Sequence, residues 1–276
     1  MQNTSAILSQ TNPLVSPSRW TDIHDLITFK IFDHDALLDV REQFASSGYV
    51  KLPTFLDQQA LTVFREEMEQ VEEVAIRKKF EMPGYLSPRR LSVAGGSLIR
   101  HHSPLLYSLY HHSALRKCIE TIVGRPIYTC THPEEYMVAN FLHNSGDTHG
   151  WHLDDPAYAL IIFAETPQEG GGGEVEFIAN WTDLCRRKQR SPDKDILDLV
   201  EWADANGLVD RHNHQSGDAY LLRADKNLHR VSPLKNIGDR RSVVNLAFQS
   251  MACVDYGNTA DLLYGMPVTA APIVTD

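Results

Sequence analysis

Thr148-His149-Gly150-Trp151-His152-Leu153-Asp154-Asp155 is the stretch on which the fold turns. His152 and Asp154 stand two apart, and on a β-strand side chains two apart face the same way. An imidazole and a carboxylate so placed reach one metal ion. A third ligand has to come from elsewhere in the chain, and His229, in Asn227-Leu228-His229-Arg230, is the candidate. Two histidines and one carboxylate on one face of a metal leave its other positions open. That suits ferrous iron, which must take up O2 and a co-substrate.

The pair is weak by itself. With 13 histidines and 36 acidic residues in 276, chance alone yields about two His-x-Asp/Glu pairs, and two are present. The other is His132-Pro133-Glu134, where proline removes a ladder donor and points to a turn or strand start. His212-Asn213-His214 is a further histidine pair. No glutamate follows it within a few residues, only Gln215, Ser216 and Gly217, and it reads as a solvated loop.

Outward from the pair, context adds weight. Arg241 follows His229 by 12 residues and opens the run Arg241-Ser242-Val243-Val244-Asn245-Leu246-Ala247-Phe248. Strand alternation puts Val243 and Asn245 on the Arg241 face. An arginine there holds a carboxylate bidentately inside a barrel mouth. Arg240 is the neighbouring alternative, and strand parity alone does not choose. Gly170 to Gly173 precede Glu174-Val175-Glu176-Phe177, a turn leading into a strand.

The rest of the chain divides by texture. Residues 1–20 are rich in Ser, Asn, Thr and Pro and read as an arm. A short strand, Tyr49 to Leu52, is closed by Pro53. From an N-cap at Asp57 the spacing of Leu61, Phe64, Met68, Val71 and Ala75 predicts a helix. Met82 to Arg100 carries Pro83-Gly84, Pro88 and Gly95-Gly96 and reads as loop. Ser103-Pro104 opens a second helical region, restarted near Ser113 and ended at Gly124. After Arg125 short β-like runs take over: 127–130, 136–142, 158–164, 175–178, 219–222 and 241–248. Residues 181–190 and 193–205 read as helical insertions. Helices first and many short strands after predict an α+β chain, a β-sandwich or jelly roll braced by N-terminal helices. With no convincing linker, residues 21–276 are expected to form a single domain.

Composition narrows the classes. Lys and Arg total 26 against 36 Asp and Glu, a net charge of −10. That argues against binding nucleic acid or a membrane surface through general electrostatics. The longest apolar run, Tyr158 to Ala164, is far too short to span a bilayer. The N-terminus lacks the layout of a signal peptide, so a cytoplasmic location is expected. Cys118, Cys130, Cys185 and Cys253 are scattered, which indicates neither a disulfide framework nor a zinc knuckle. The oligomeric state is open.

The order His-x-Asp, glycine-rich turn and strand, distal His, then Arg resembles the iron(II)/2-oxoglutarate-dependent dioxygenases over roughly residues 127–250. The resemblance implies a double-stranded β-helix, a cupin-like jelly roll. It implies His152, Asp154 and His229 as ligands of Fe(II), 2-oxoglutarate chelated to the iron with its far carboxylate on Arg241, and O2 as the oxidant. The expected outcome is hydroxylation of a C–H bond with release of succinate and CO2.

A closer likeness lies in His149, three residues before the first ligand, in Pro133-Glu134-Glu135-Tyr136 and in Ser87-Pro88-Arg89-Arg90. These are similar to the free-amino-acid halogenases and hydroxylases of the BesD/HalD type. That likeness implies that Arg89 takes the substrate carboxylate, that His149 and Asp155 contact the α-amino end, and that Glu135 and Asn245 hold a side-chain ammonium. Glu134 takes the place of Glu135 if the register slips by one. The implied substrate is a free amino acid with a cationic end, lysine before ornithine. The halogenases have Gly where this chain has Asp154, so hydroxylation is expected here. Three alternatives stand beside this reading. They are a hydroxylase of a larger amide or peptidyl amino acid, a non-catalytic jelly-roll binding protein, and a cupin-type metalloenzyme using His212 and His214.

Overall fold

The computed structural model describes residues 34–82, 87–252, 254, 256 and 259–264. The arm expected over residues 1–20 lies outside them, as does Cys253. Among the described residues five helices come early: α1 (His34–Ser47), α2 (Gln58–Glu72), α3 (Gly96–His102), α4 (Pro104–His111) and α5 (Ser113–Val123). The Asp57 carboxylate caps α2 by accepting from the Ala60 amide at 2.7 Å. Leu61, Phe64, Met68 and Val71 form the buried face of that helix. Helix α5 ends at Gly124, whose φ of +75° is the left-handed turn that favours glycine.

Twelve strands form one antiparallel sheet: β1 (Tyr49–Leu52), β2 (Ile76–Met82), β3 (Ser87–Ala94), β4 (Tyr128–Thr129), β5 (Met137–Leu142), β6 (Thr148–His152), β7 (Tyr158–Glu165), β8 (Val175–Ile178), β9 (Asp210–His212), β10 (Ala219–Arg223), β11 (Leu228–Val231) and β12 (Arg241–Gln249). They pair in the order β1-β10-β7-β12-β5-β3-β6-β11-β8-β9, with β2 on β3 and β4 on β12. The sheet folds over as a double-stranded β-helix. Strand β3 joins its two walls. Ser92 to Ala94 pair with β5, while Arg89 and Arg90 pair with β6.

That strand corrects the expectation of a loop over 82–100. Proline and glycine signals dominated the reading, but Ser87, Arg89, Leu91 and Val93 alternate as the buried side of a strand. Pro88 is accommodated because it faces Gly150. A Cβ on Gly150 would lie 2.8 Å from the Pro88 ring and carbonyl.

Alternation along β12 separates two environments. Val244, Leu246 and Phe248 face the helical layer in one large core. Arg241, Val243, Asn245 and Ala247 face a cavity between the walls. On the other wall, helices α6 (Trp181–Lys188) and α7 (Ile196–Ala205) form the predicted insertion. They bury Trp181 with Trp151, Ile178 and Leu228. Trp151 and Leu228 are the sequence neighbours of His152 and His229, so the insertion braces the back of both strands. A last helix, α8 (Thr259–Tyr264), brings Leu263 and Tyr264 to the cavity rim. No helix among the described residues is long and apolar enough to cross a membrane.

Candidate active site

His152 ends β6 and pairs directly with His229 on β11. Their ring centroids are 4.2 Å apart. Asp154 lies just past the end of β6, not on it as the spacing argument assumed. It is fixed instead by its backbone N–H, which donates to the Ala224 carbonyl at 3.1 Å. Its Oδ1 stands 3.4 Å from Nε2 of His152 and 3.6 Å from Nε2 of His229. All three ligand atoms lie within 4.8 Å of one another, the one such group found among the described residues. Donors that share a metal at bond lengths of about 2 Å sit roughly 3 Å apart, so modest closure fits these three to an ion.

Both imidazoles are set in the tautomer that a metal needs. Nδ1–H of His152 donates to the Gly150 carbonyl at 2.7 Å, and Nδ1–H of His229 donates to the Asn227 carbonyl at 2.9 Å. Each Nε2 lone pair is thereby left facing Asp154. Burial raises the Asp154 carboxyl above its ordinary range, and burial with the neighbouring His149 and His229 pushes His152 well down. Three such groups, with their metal-facing atoms turned together, could hold a ferrous ion.

Arg241 lies on the other wall and is only 2% exposed. Its guanidinium sits 5.0 Å over the Phe163 ring and contacts the Tyr220 hydroxyl. No ion pair among the described residues involves it, and its Nε has no partner. A fully buried guanidinium without a carboxylate is costly to keep, and Arg241 could hold the C5 carboxylate of 2-oxoglutarate. Arg240 points outward and is paired with Glu72 and Glu165. Geometry therefore separates two residues that strand parity could not.

The remaining expected residues line the same cavity: Arg89, Glu135, His149, Asp155 and Asn245. His149 reaches it through an irregularity in the ladder. His229 pairs with His152 and Val231 with His149, so β6 spends one residue more than β11 over that interval. The extra residue turns His149 onto the His152 side, with rings stacked at 4.1 Å. Arg89 is buried at 1% exposure, and its guanidinium donates to Ser87 Oγ and to the Gly150 carbonyl.

Glu135 requires a correction. On a strand it would share a face with Met137 and Ala139, but those two face the helical core, while Val138 and Asn140 face the cavity. Glu135 precedes β5 in a turn, where strand parity does not hold, and the turn still directs it inward. Burial, with Asp155 and Asp154 nearby, pushes its carboxyl up to about 8, and its Oε2 has no partner. Glu134 instead accepts from the Ser97 amide on the outside, beside the turn residue His132.

The pair His212 and His214 is not a solvated loop. His212 belongs to β9 and stacks on Tyr49 at 4.2 Å. The His214 Nε2 lies 3.0 Å from the Tyr49 hydroxyl, its ring stacks on Phe163, and burial pushes it down to about 2. Aromatic packing in the gap beside Phe163 outweighs the polar composition of the segment. Neither histidine belongs to a three-ligand group among the described residues.

Sequence reasoning missed Asn140, Tyr220 and Tyr264 as cavity residues. Asn140 left a signal, a single polar residue in the apolar run Met137 to Leu142. Tyr220 and Tyr264 left none that distinguishes them from core aromatics.

The fold recurs in enzymes of known structure. The 2-oxoglutarate-dependent epimerase SnoN of nogalamycin biosynthesis is 15% identical, with 87% of this chain and 92% of that chain covered at a TM-score of 0.58. The carbocyclase SnoK of the same biosynthesis is 14% identical, with 80% and 87% covered at 0.61. HygX from Streptomyces hygroscopicus, solved with nickel and 2-oxoglutarate, is 15% identical, with 81% and 92% covered at 0.55. No curated protein is recognisably similar in sequence. The family model for halogenase D matches residues 32–265, which spans both walls, the helical layer and every cavity residue named above. The chain belongs to the halogenase D family and is an iron- and 2-oxoglutarate-dependent enzyme.

Proposed function

We propose that the enzyme hydroxylates a free amino acid with a cationic side chain, lysine before ornithine. The observation that carries the choice of reaction is Asp154, whose carboxylate oxygen stands between the two Nε2 atoms. A family built for halogenation needs that position for a halide, and here a carboxylate fills it. That favours transfer of oxygen over transfer of a halide.

His152, Asp154 and His229 hold the iron, and Arg241 holds the far carboxylate of 2-oxoglutarate. With O2, that pair supplies the oxidation: one oxygen atom enters the substrate C–H bond and the other enters succinate as CO2 leaves. The chain's own residues bind and orient. Arg89 takes the α-carboxylate, and His149 and Asp155 contact the α-amino group. Glu135 accepts from the side-chain ammonium, with Asn245 as a neutral acceptor. Distance between the two charged ends then gauges substrate length.

A charge count supports the cationic substrate. Glu135, Asp154 and Asp155 face Arg89 and Arg241 in the cavity. Divalent iron and dianionic 2-oxoglutarate cancel one another. With Glu135 ionised one negative charge is left over, and an amino acid with one net positive charge neutralises it. A neutral amino acid leaves Glu135 to be buried charged or protonated.

The test is a screen of the twenty amino acids plus ornithine with Fe(II), 2-oxoglutarate and O2. Succinate formation coupled to a gain of one oxygen on lysine or ornithine is expected. Coupled turnover only with neutral amino acids, or only with peptidyl substrates, contradicts the substrate assignment.

A further inference from the structure

We infer that Asn140 is a binding contact for 2-oxoglutarate, additional to the metal and Arg241; this rests on the reading of Arg241 given above.

The inward face of β5 runs Leu142, Asn140, Val138. Leu142 packs with Leu91, Val231 and Leu234 and closes that end of the cavity. Asn140 is the next position inward. It lies opposite Val243 on β12 and opposite Val93 on β3. Val243 stands between Arg241 and Asn245 on the cavity face of β12. Asn140 is therefore the diagonal cross-strand neighbour of both, a separation that side chains of this size bridge.

An amide in the row Val93, Asn140, Val243 is out of place as packing. Its Oδ1 is buried without a partner, and the side chain makes no hydrogen bond among the described residues. Leaving that oxygen without a partner is costly, and a third valine would complete the row. A group kept there at a cost has a ligand as its partner. Two ligands enter this cavity. The acceptors proposed for the cationic substrate lie farther along, at Asn245 and at Glu135 in the turn before β5. Asn140 is one step from the closed end, beside the path that a molecule anchored at Arg241 must follow. That molecule is a dianion with acceptor atoms only. The amide NH2 is the end that is not fully buried, and it makes no hydrogen bond among the described residues, so a carboxylate or keto oxygen can accept from it.

The experiment is an anaerobic titration of the Fe(II)-loaded protein with 2-oxoglutarate, read by metal-to-ligand charge-transfer absorption. It is accompanied by thermal unfolding of the metal-free protein and run on Asn140→Val, Asn140→Asp and Arg241→Ala. Asn140→Val is expected to fold with an unchanged or higher Tm and to need about tenfold more 2-oxoglutarate. Asn140→Asp is expected to be weaker still, because it sets a carboxylate against a dianion. A role in packing alone lowers Tm and leaves the titration in place. Asn140→Val binding within twofold of the parent, while Arg241→Ala is impaired, overturns the inference alone. Arg241→Ala binding like the parent overturns the Arg241 anchor, and the inference falls with it. Asn140→Ala provides the same readout if the valine variant does not fold.

Discussion

Glu135→Gln keeps the shape of the side chain and removes its charge, and the structure fixes what should follow. The carboxyl is 8% exposed and is pushed up to about 8 by burial and by Asp155 and Asp154. At pH 7 the substrate-free cavity therefore holds it mostly protonated. An incoming ammonium needs the carboxylate, so binding must expel that proton. The free energy involved is about 1.4 kcal/mol for each pH unit below the pKa. The sign follows: affinity for lysine rises up to tenfold per unit as pH increases toward 8 and is flat above it. Asp154 is one of the charges that raise the carboxyl, and iron on Asp154 would lessen that repulsion, so the profile of the metal-free protein is the one this value fixes. Calorimetry of lysine binding to the metal-free protein, in two buffers of different ionisation enthalpy, should show about one proton released at pH 7. Glu135→Gln should flatten the pH profile and abolish the release. It should lower kcat/KM for lysine ten- to a hundredfold, about 1.4–2.7 kcal/mol. Norleucine, which lacks the ammonium, should lose far less. A flat profile in the parent, or equal losses on lysine and norleucine, would refute the reasoning. The same shift acts on folding. A carboxyl raised in the folded state above its unfolded value of 4.5 stabilises less as pH climbs through about 8. Glu135→Gln should therefore raise the Tm of the metal-free protein more at pH 9 than at pH 5.

Further outcomes follow from the geometry. Arg241→Ala should weaken 2-oxoglutarate by about 2–5 kcal/mol, the loss of a buried bidentate contact, and Arg240→Ala should not. A titration of each variant decides between them. High chloride should yield no chlorinated product from the parent protein, because Asp154 stands where a halide would bind; mass spectrometry of the product checks this. Trp181→Ala should cost about 3–5 kcal/mol of stability, since it empties the core behind Trp151 and Leu228. It should also loosen Fe(II), which a metal titration after denaturant unfolding would reveal.

What the sequence disclosed was decided by how local each signal is. Ligand spacing is short-range, so His152 and Asp154 stood out, and His229 and Arg241 followed from chain order. The helix over 58–72 announced itself through its cap and apolar stripe. Strand parity worked for Val243 and Asn245 because β12 is regular there. It failed for Glu135 because that residue lies in a turn, and for His149 because the bulge against β11 turns it onto the His152 side. Strand β3 was hidden by Pro88, whose tolerance depends on Gly150 in a different strand. His214 looked solvated because its partners, Tyr49 and Phe163, are far away in sequence. Asn140 was visible as an odd residue in an apolar run, yet its meaning needed the register of three strands.

The central claim, that His152, Asp154 and His229 form the iron centre of a 2-oxoglutarate-dependent hydroxylase, is tested most directly by one anaerobic spectrum. Fe(II) and 2-oxoglutarate are added to the parent and to the alanine variant at each of the three positions, and the charge-transfer band is recorded before O2 and lysine are admitted. The account predicts a band in the parent that bleaches with formation of hydroxylysine and succinate, and loss or severe weakening of both in every variant. A full band with full turnover in all three variants would contradict it.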